Sequence, residues 1–209
     1  MELSIPGPCG PLEAELEMPD GEPRAAAAMC HPSPAHGGTL RSTPVFRAAR
    51  GLALARVAAL RFNFRGVGRS AGEPDGEGGE EGDLAAALDF LAGRFPGREL
   101  WAGGFSFGAW TAANLALRDT RIRRLVLVAL PVEAYAVEPL RELRVPGLSI
   151  SASGDVFGDL ALLRERLPEW AGVLELEEIE GADHFFQRRT AELQERVRQY
   201  ANRVLEERA

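Results

Sequence analysis

In Gly104-Phe105-Ser106-Phe107-Gly108, a serine sits between two glycines where the strand-like run Glu99-Leu100-Trp101-Ala102-Gly103 passes into the helix-like Ala109-Trp110-Thr111-Ala112-Ala113-Asn114-Leu115. A strand–turn–helix of this kind holds the serine on strained backbone, with its hydroxyl lifted at the carboxyl edge of a sheet. Glycines flank it because side chains would collide where strand and helix pass closely. The chemistry open to such a hydroxyl is attack on an acyl carbon. Alone it is a weak nucleophile, so a base must take its proton and a third group must orient that base.

The chain has three histidines, His31, His36 and His184. His184 lies in Gly181-Ala182-Asp183-His184-Phe185-Phe186, after the last strand-like run and before the terminal helix, at the edge where Ser106 emerges. It is the candidate base. The acid should fall between serine and histidine in the chain. Asp155, in Ala152-Ser153-Gly154-Asp155, follows a strand-like run and is preferred by the loop-edge rule for α/β sheets. Asp159 competes, although it also suits the N-cap of the next helix. Asp183 adjoins the histidine, and a sequence neighbour seldom reaches the correct ring nitrogen.

A tetrahedral intermediate needs two preorganised N–H donors. Phe107, directly after the serine at a helix N-terminus, supplies one. The loop His31-Pro32-Ser33-Pro34-Ala35-His36-Gly37-Gly38 supplies the other. Pro32 and Pro34 lack an N–H, which leaves Ser33 as the donor on a stiffened backbone. Phe64, Phe105, Phe107, Phe157, Phe185 and Phe186 fall near this edge and suggest an apolar pocket for a short acyl or aryl group. Of the edge residues, His31, Phe64, Phe105 and Phe185 are the substrate-binding candidates.

The elements that must position these groups read as an α/β domain. Leu3 to Pro19 forms two short strands around Pro6-Gly7-Pro8-Cys9-Gly10-Pro11. Further strands are expected over Ala25–Cys30, Ala58–Phe64, Leu100–Phe105, Leu125–Leu130, Gly147–Ser151 and Val173–Ile179, alternating with helical segments, as in a largely parallel sheet. Leu125 to Leu130 is apolar without alternation, as for a strand covered on both faces. Helical stripes run through Leu84, Leu88, Leu91 and Phe95, through Leu160, Leu163 and Leu167, and through Leu193, Val197, Tyr200 and Val204. Only about a dozen residues separate Pro131 from Val145, too few for an inserted lid. The spacing predicts one domain over residues 1–209.

Composition narrows the function. With 209 residues and 45% hydrophobic content, the chain can bury a sizeable core. A formal charge of −7 argues against a nucleic-acid surface. All 24 basic residues are arginine, which excludes lysine Schiff-base chemistry and a P-loop lysine. No apolar run reaches membrane-span length, and the N-terminus has neither a basic start nor an apolar core, so a cytoplasmic protein is expected. Cys9 and Cys30 are expected to be reduced thiols.

Taken together, His31-Pro32-Ser33-Pro34…Gly37-Gly38, Arg61-Phe62-Asn63-Phe64-Arg65-Gly66-Val67-Gly68-Arg69-Ser70, the segment around Ser106, and Gly181 to Phe186 resemble the α/β-hydrolases. Within that superfamily the chain is similar to small lidless bacterial esterases related to dienelactone hydrolase. The resemblance implies an eight-stranded, mostly parallel sheet with helices on both faces and no inserted lid domain. It also implies a cofactor-free, metal-free serine hydrolase acting on carboxylic esters or thioesters of small molecules, with Ser106, Asp155 and His184 as the triad. Two departures stand out. Such relatives show Gly-Asp-x-Asp before the acid where this chain has Ala152-Ser153-Gly154-Asp155, and dienelactone hydrolase itself carries cysteine in place of the serine. A peptidase, acyltransferase or lactonase would use the same triad. An idle hydrolase fold serving as a binding module would carry an incomplete one.

Other motifs are weaker. Gly66-Val67-Gly68-Arg69-Ser70-Ala71 matches a dinucleotide fingerprint, but loop follows it where a helix should open. Glu73, Asp75, Glu77, Glu80, Glu81 and Asp83 read as a solvated loop and an acidic helix N-terminus rather than a metal site. Trp101 and Trp110 are expected in the core, and Cys30 buried and inert. Arg65 suits either a structural ion pair or a grip on a substrate carboxylate.

Overall fold

The structure, a computed structural model, describes residues 1–74 and 78–207. Asp75 and Glu77 of the acidic run lie outside the described residues.

Eight strands form one sheet: β1 (Glu2–Ile5), β2 (Leu12–Glu17), β3 (Ala25–Cys30), β4 (Val57–Phe62), β5 (Glu99–Phe105), β6 (Ile122–Val128), β7 (Gly147–Ala152) and β8 (Leu174–Ile179). Their spatial order is β1-β2-β4-β3-β5-β6-β7-β8. The pairs β1–β2 and β2–β4 are antiparallel, and every other pair is parallel. Among the described residues, five α-helices connect or follow the strands: α1 (Thr43–Leu54), α2 (Gly79–Arg94), α3 (Phe107–Ala116), α4 (Leu160–Arg166) and α5 (Thr190–Glu206).

Alternation along each strand divides the core in two, since successive side chains point to opposite faces. Ala26, Ala28, Leu60 and Ala102 face one layer with Leu84, Leu88 and Leu91 of α2 and Ala112 of α3. Ala27, Met29, Ala59 and Trp101 face the other with Val45 and Leu52 of α1 and Leu193, Val197 and Tyr200 of α5. The helical stripes therefore bury as their spacing predicts; only Leu160, at the start of α4, is partly buried.

The segment between β6 and β7 contains one short 3₁₀ turn, Glu138–Glu142, and no inserted domain. The fold is the lidless α/β-hydrolase arrangement. At the antiparallel edge, Arg61 bonds Glu15 and the Leu40 carbonyl, while Glu13 receives Asn63 and Arg69. These contacts fix the end of β4 and the glycine-rich turn behind it. Among the described residues that turn opens no helix, and the next one begins at Gly79. No described helix is long and apolar enough to cross a membrane.

Candidate active site

The sharp turn after β5 is built by close approach. A Cβ on Gly104 or Gly108 would lie 2.6 or 2.4 Å from the Cys30 carbonyl oxygen, so neither position tolerates a side chain. Between them Ser106 adopts φ 55° and ψ −119°, a conformation that costs a non-glycine residue of order 1–3 kcal/mol. Its N–H donates to the Val128 carbonyl, and its own carbonyl accepts from Ala109 and Trp110, which pins the strain in place. The hydroxyl stands at the N-terminus of α3, half-buried.

His184 reaches that hydroxyl from the loop after β8. Its Nε2 lies 3.0 Å from Ser106 Oγ, and its Nδ1 lies 2.7 Å from Asp155 Oδ2. A carboxylate can only accept, so Nδ1 carries the proton and Nε2 is left to accept from the serine. Asp155 and His184 are both buried, which keeps water from competing for these bonds. The second carboxylate oxygen of Asp155 accepts the Phe157 N–H at 2.9 Å.

The acid and base loops are tied to each other. Ser153 Oγ accepts the Gly181 N–H at 2.9 Å, and the Gly154 N–H donates to the Ala182 carbonyl at 2.9 Å. Ser153 thus fastens the loop that carries Asp155 to the loop that carries His184. Asp159 instead caps α4, its Oδ1 accepting the Leu162 N–H at 2.8 Å. Asp183 Oδ1 accepts the Gln187 N–H and does not meet the imidazole through a hydrogen bond.

Opposite the serine, the loop after β3 folds back tightly. The Ser33 carbonyl accepts N–H groups from His36 and Gly38, and a Cβ on Gly38 would lie 2.1 Å from the Pro32 carbonyl oxygen. Ser33 and Ser106 share the wall of one cleft of about 860 Å³. Phe105, Phe157, Phe185, Pro131 and Tyr135 give this cleft an apolar surface. No aspartate or glutamate lines it among the described residues, and Arg188 does, on left-handed backbone at φ 62°. None of Tyr135, Arg188 or His36 was singled out by sequence; each comes to the cleft through loop geometry that no motif records.

The α/β hydrolase fold family profile matches residues 35–192, three quarters of the chain. The chain belongs to the α/β-hydrolase fold family. An uncharacterized protein of Rickettsia prowazekii is 32% identical over 208 residues, covering 95% of this chain and 87% of that one. Among solved structures, an alpha-beta serine hydrolase homologue from Coxiella burnetii is 33% identical with a TM-score of 0.87, covering 95% of this chain and 96% of that one. A serine hydrolase without a lid from Xanthomonas campestris is 29% identical with a TM-score of 0.89, covering 98% of this chain and 94% of that one. Family and relatives together support hydrolase activity.

Several expectations need correction in this α/β-hydrolase. His31 does not touch the cleft. It is fully buried, its Nδ1–H donating to the Pro32 carbonyl at 2.6 Å and its Nε2 accepting the Phe64 N–H at 3.0 Å. It ties the Ser33 loop to the end of β4. Burial pushes its pKa down to about 4, against the Pro32 carbonyl, which favours the protonated ring. Phe64 is likewise core, packed edge-on against His31 and Phe107. Phe186 is buried, and only Phe105 and Phe185 of the proposed substrate-binding rings line the cleft, joined by Phe157.

Trp101 is core, but Trp110 is half-buried, stacked on Tyr135 and Phe107 with its indole N–H on the Ala136 carbonyl. Arg65 is structural: its guanidinium and backbone N–H bind buried Asp83. No cluster of His, Cys, Asp and Glu among the described residues could hold a metal. Cys30 is buried, which raises its thiol pKa well above the ordinary value, with the Asp83 charge adding to the rise; Cys9 and Cys30 are both free.

Proposed function

We propose that the protein hydrolyses carboxylic esters or thioesters of small molecules through an acyl-enzyme on Ser106. The observation that carries this is the unbroken hydrogen-bond line from Asp155 through His184 to Ser106, with bonds of 2.7 and 3.0 Å. Ser106 Oγ attacks the acyl carbon while His184 Nε2 takes its proton. The C–O or C–S bond then breaks, and the imidazolium returns the proton to the departing alcohol or thiol. Water repeats the sequence in reverse and frees the acid. Asp155 holds the tautomer and stabilises the transient imidazolium.

The developing oxyanion is received by the N–H of Phe107, which has no acceptor inside α3 because it opens the helix, and by the N–H of Ser33. Each donor of this kind is worth roughly 3 kcal/mol in the transition state. The mechanism asks for no metal or cofactor. An open apolar cleft suits a short acyl or aryl group.

Ser106→Ala tests this reading. The variant should fold as wild type by circular dichroism and lose hydrolysis of p-nitrophenyl esters across a panel graded by acyl length, with thioesters and lactones included. Turnover undiminished by the substitution sinks the mechanism.

A further inference from the structure

Three phenylalanine rings from three separate segments surround the imidazole of His184. Phe105 belongs to the turn that carries the serine, Phe157 to the loop after β7, and Phe185 to the histidine's own loop. Their centroids lie 5.0, 4.9 and 5.2 Å from the imidazole centroid, with interplanar angles of 39°, 68° and 86°. Phe105 also meets Phe185 edge to face at 5.9 Å. Phe157 has a second hold on the pair, because its N–H binds the Asp155 carboxylate.

Burial does not account for the two outer rings. Phe157 and Phe185 remain 41% and 54% exposed, whereas Phe105 is fully buried. A solitary exposed phenylalanine needs no explanation. Two that leave the core and meet on one buried imidazole do. That imidazole becomes cationic whenever it takes the serine proton, and a cation that stands over the face of an aromatic ring, within about 6 Å of its centroid, is drawn to the ring's quadrupole.

The geometry points to an aromatic collar in which Phe157 and Phe185, with Phe105, are positioning residues that act through His184. They hold its ring in line with Ser106 and Asp155 and favour the imidazolium formed during acyl transfer. The inference rests on the hydrolase reading above and adds to it a role for the cleft rings other than lining a substrate pocket.

Leucine keeps most of the apolar volume and removes the π face; tyrosine keeps the face. With p-nitrophenyl acetate as substrate, Phe157→Leu and Phe185→Leu should each lower kcat about two- to fivefold, and the double variant about tenfold, with KM within about twofold of wild type. Phe157→Tyr and Phe185→Tyr should each lower kcat less than the matching leucine variant. Thermal midpoints measured on every variant separate these effects from lost folding. A raised KM with kcat intact would make the rings substrate walls and overturn the collar. So would an equal fall in the leucine and tyrosine variants, or no change in either. Absence of turnover in the wild type is a different failure, that of the hydrolase reading, and it removes the collar with it.

Discussion

Two histidines lie buried at the carboxyl edge of the same sheet, each hydrogen-bonded at both ring nitrogens, and they do different work. His31 faces two backbone groups, the Pro32 carbonyl and the Phe64 N–H. His184 faces two side chains, the Asp155 carboxylate and the Ser106 hydroxyl. Because a backbone N–H can only donate, Nε2 of His31 must stay unprotonated and the ring is held neutral. The partner of His184 can give up a proton, and the carboxylate behind it welcomes the charge that follows. One histidine is a strut, and in the proposed mechanism the other is the base. Partner chemistry rather than burial decides which.

Replacing the carboxylate should produce the largest effect. Asp155→Asn, which keeps the shape but disturbs the tautomer, is expected to lower kcat by roughly 10³- to 10⁴-fold with little loss of fold, measured by ester hydrolysis and circular dichroism. A loss below tenfold would put His184 closer to His31 in kind. Next comes the strut. His31→Ala leaves the Phe64 N–H and Pro32 carbonyl unpaired beside a void, so unfolding free energy should fall by about 3 kcal/mol, a Tm drop of roughly 6–12 °C.

The strut also predicts an acid response. The folded-state pKa of His31 is about 4, below the ordinary 6.5. The unfolded chain therefore binds the extra proton first, and the stability contributed by neutral His31 is intact above about pH 6.5 and lost as pH falls toward 4. Over that window the loss approaches about 3 kcal/mol. Denaturant melts from pH 7 to 4 should show it, and His31→Ala should flatten the part of the profile it causes. The smallest expected effect separates the two aspartates. Asp159→Ala should cost about 1 kcal/mol through its lost helix cap and leave kcat unchanged.

Much of the site was legible because its chemistry is written locally. The turn at Ser106 needs glycines within a few residues on either side, and order along the chain pointed to Asp155 and His184. All eight strands were placed, with ends shifted where the pattern misleads. β6 starts earlier than its apolar run, at Ile122, because Arg123 and Arg124 interrupt the hydrophobic signal. It stops at Val128 because Ala129 turns to φ 49°. β4 stops at Phe62 rather than Phe64: the Asn63 N–H still reaches the Glu13 carbonyl of β2, but Ser70 Oγ takes the Glu13 N–H and donates to the Asn63 carbonyl, which breaks the return bond of that pair.

What stayed hidden depends on contacts distant in sequence. The bounds of α1 are not written in its own pattern, which Pro44 and Gly51 dilute. His31 looked like a cleft residue because it adjoins the Ser33 loop, yet its acceptor nitrogen is used by Phe64, thirty-three positions away. The tie from Ser153 to Gly181 spans two loops and has no motif. The collar on His184 likewise needs three separate segments, which no spacing within one of them can announce.

Activation of Ser106 by His184 is the centre of the proposed mechanism. Stoichiometric labelling with a fluorophosphonate probe, located by mass spectrometry, measures this directly. The wild type should take up one probe per chain on Ser106, and His184→Ala should lose that reactivity while remaining folded. No adduct on the wild type, an adduct at another residue, or unchanged labelling of His184→Ala would contradict it.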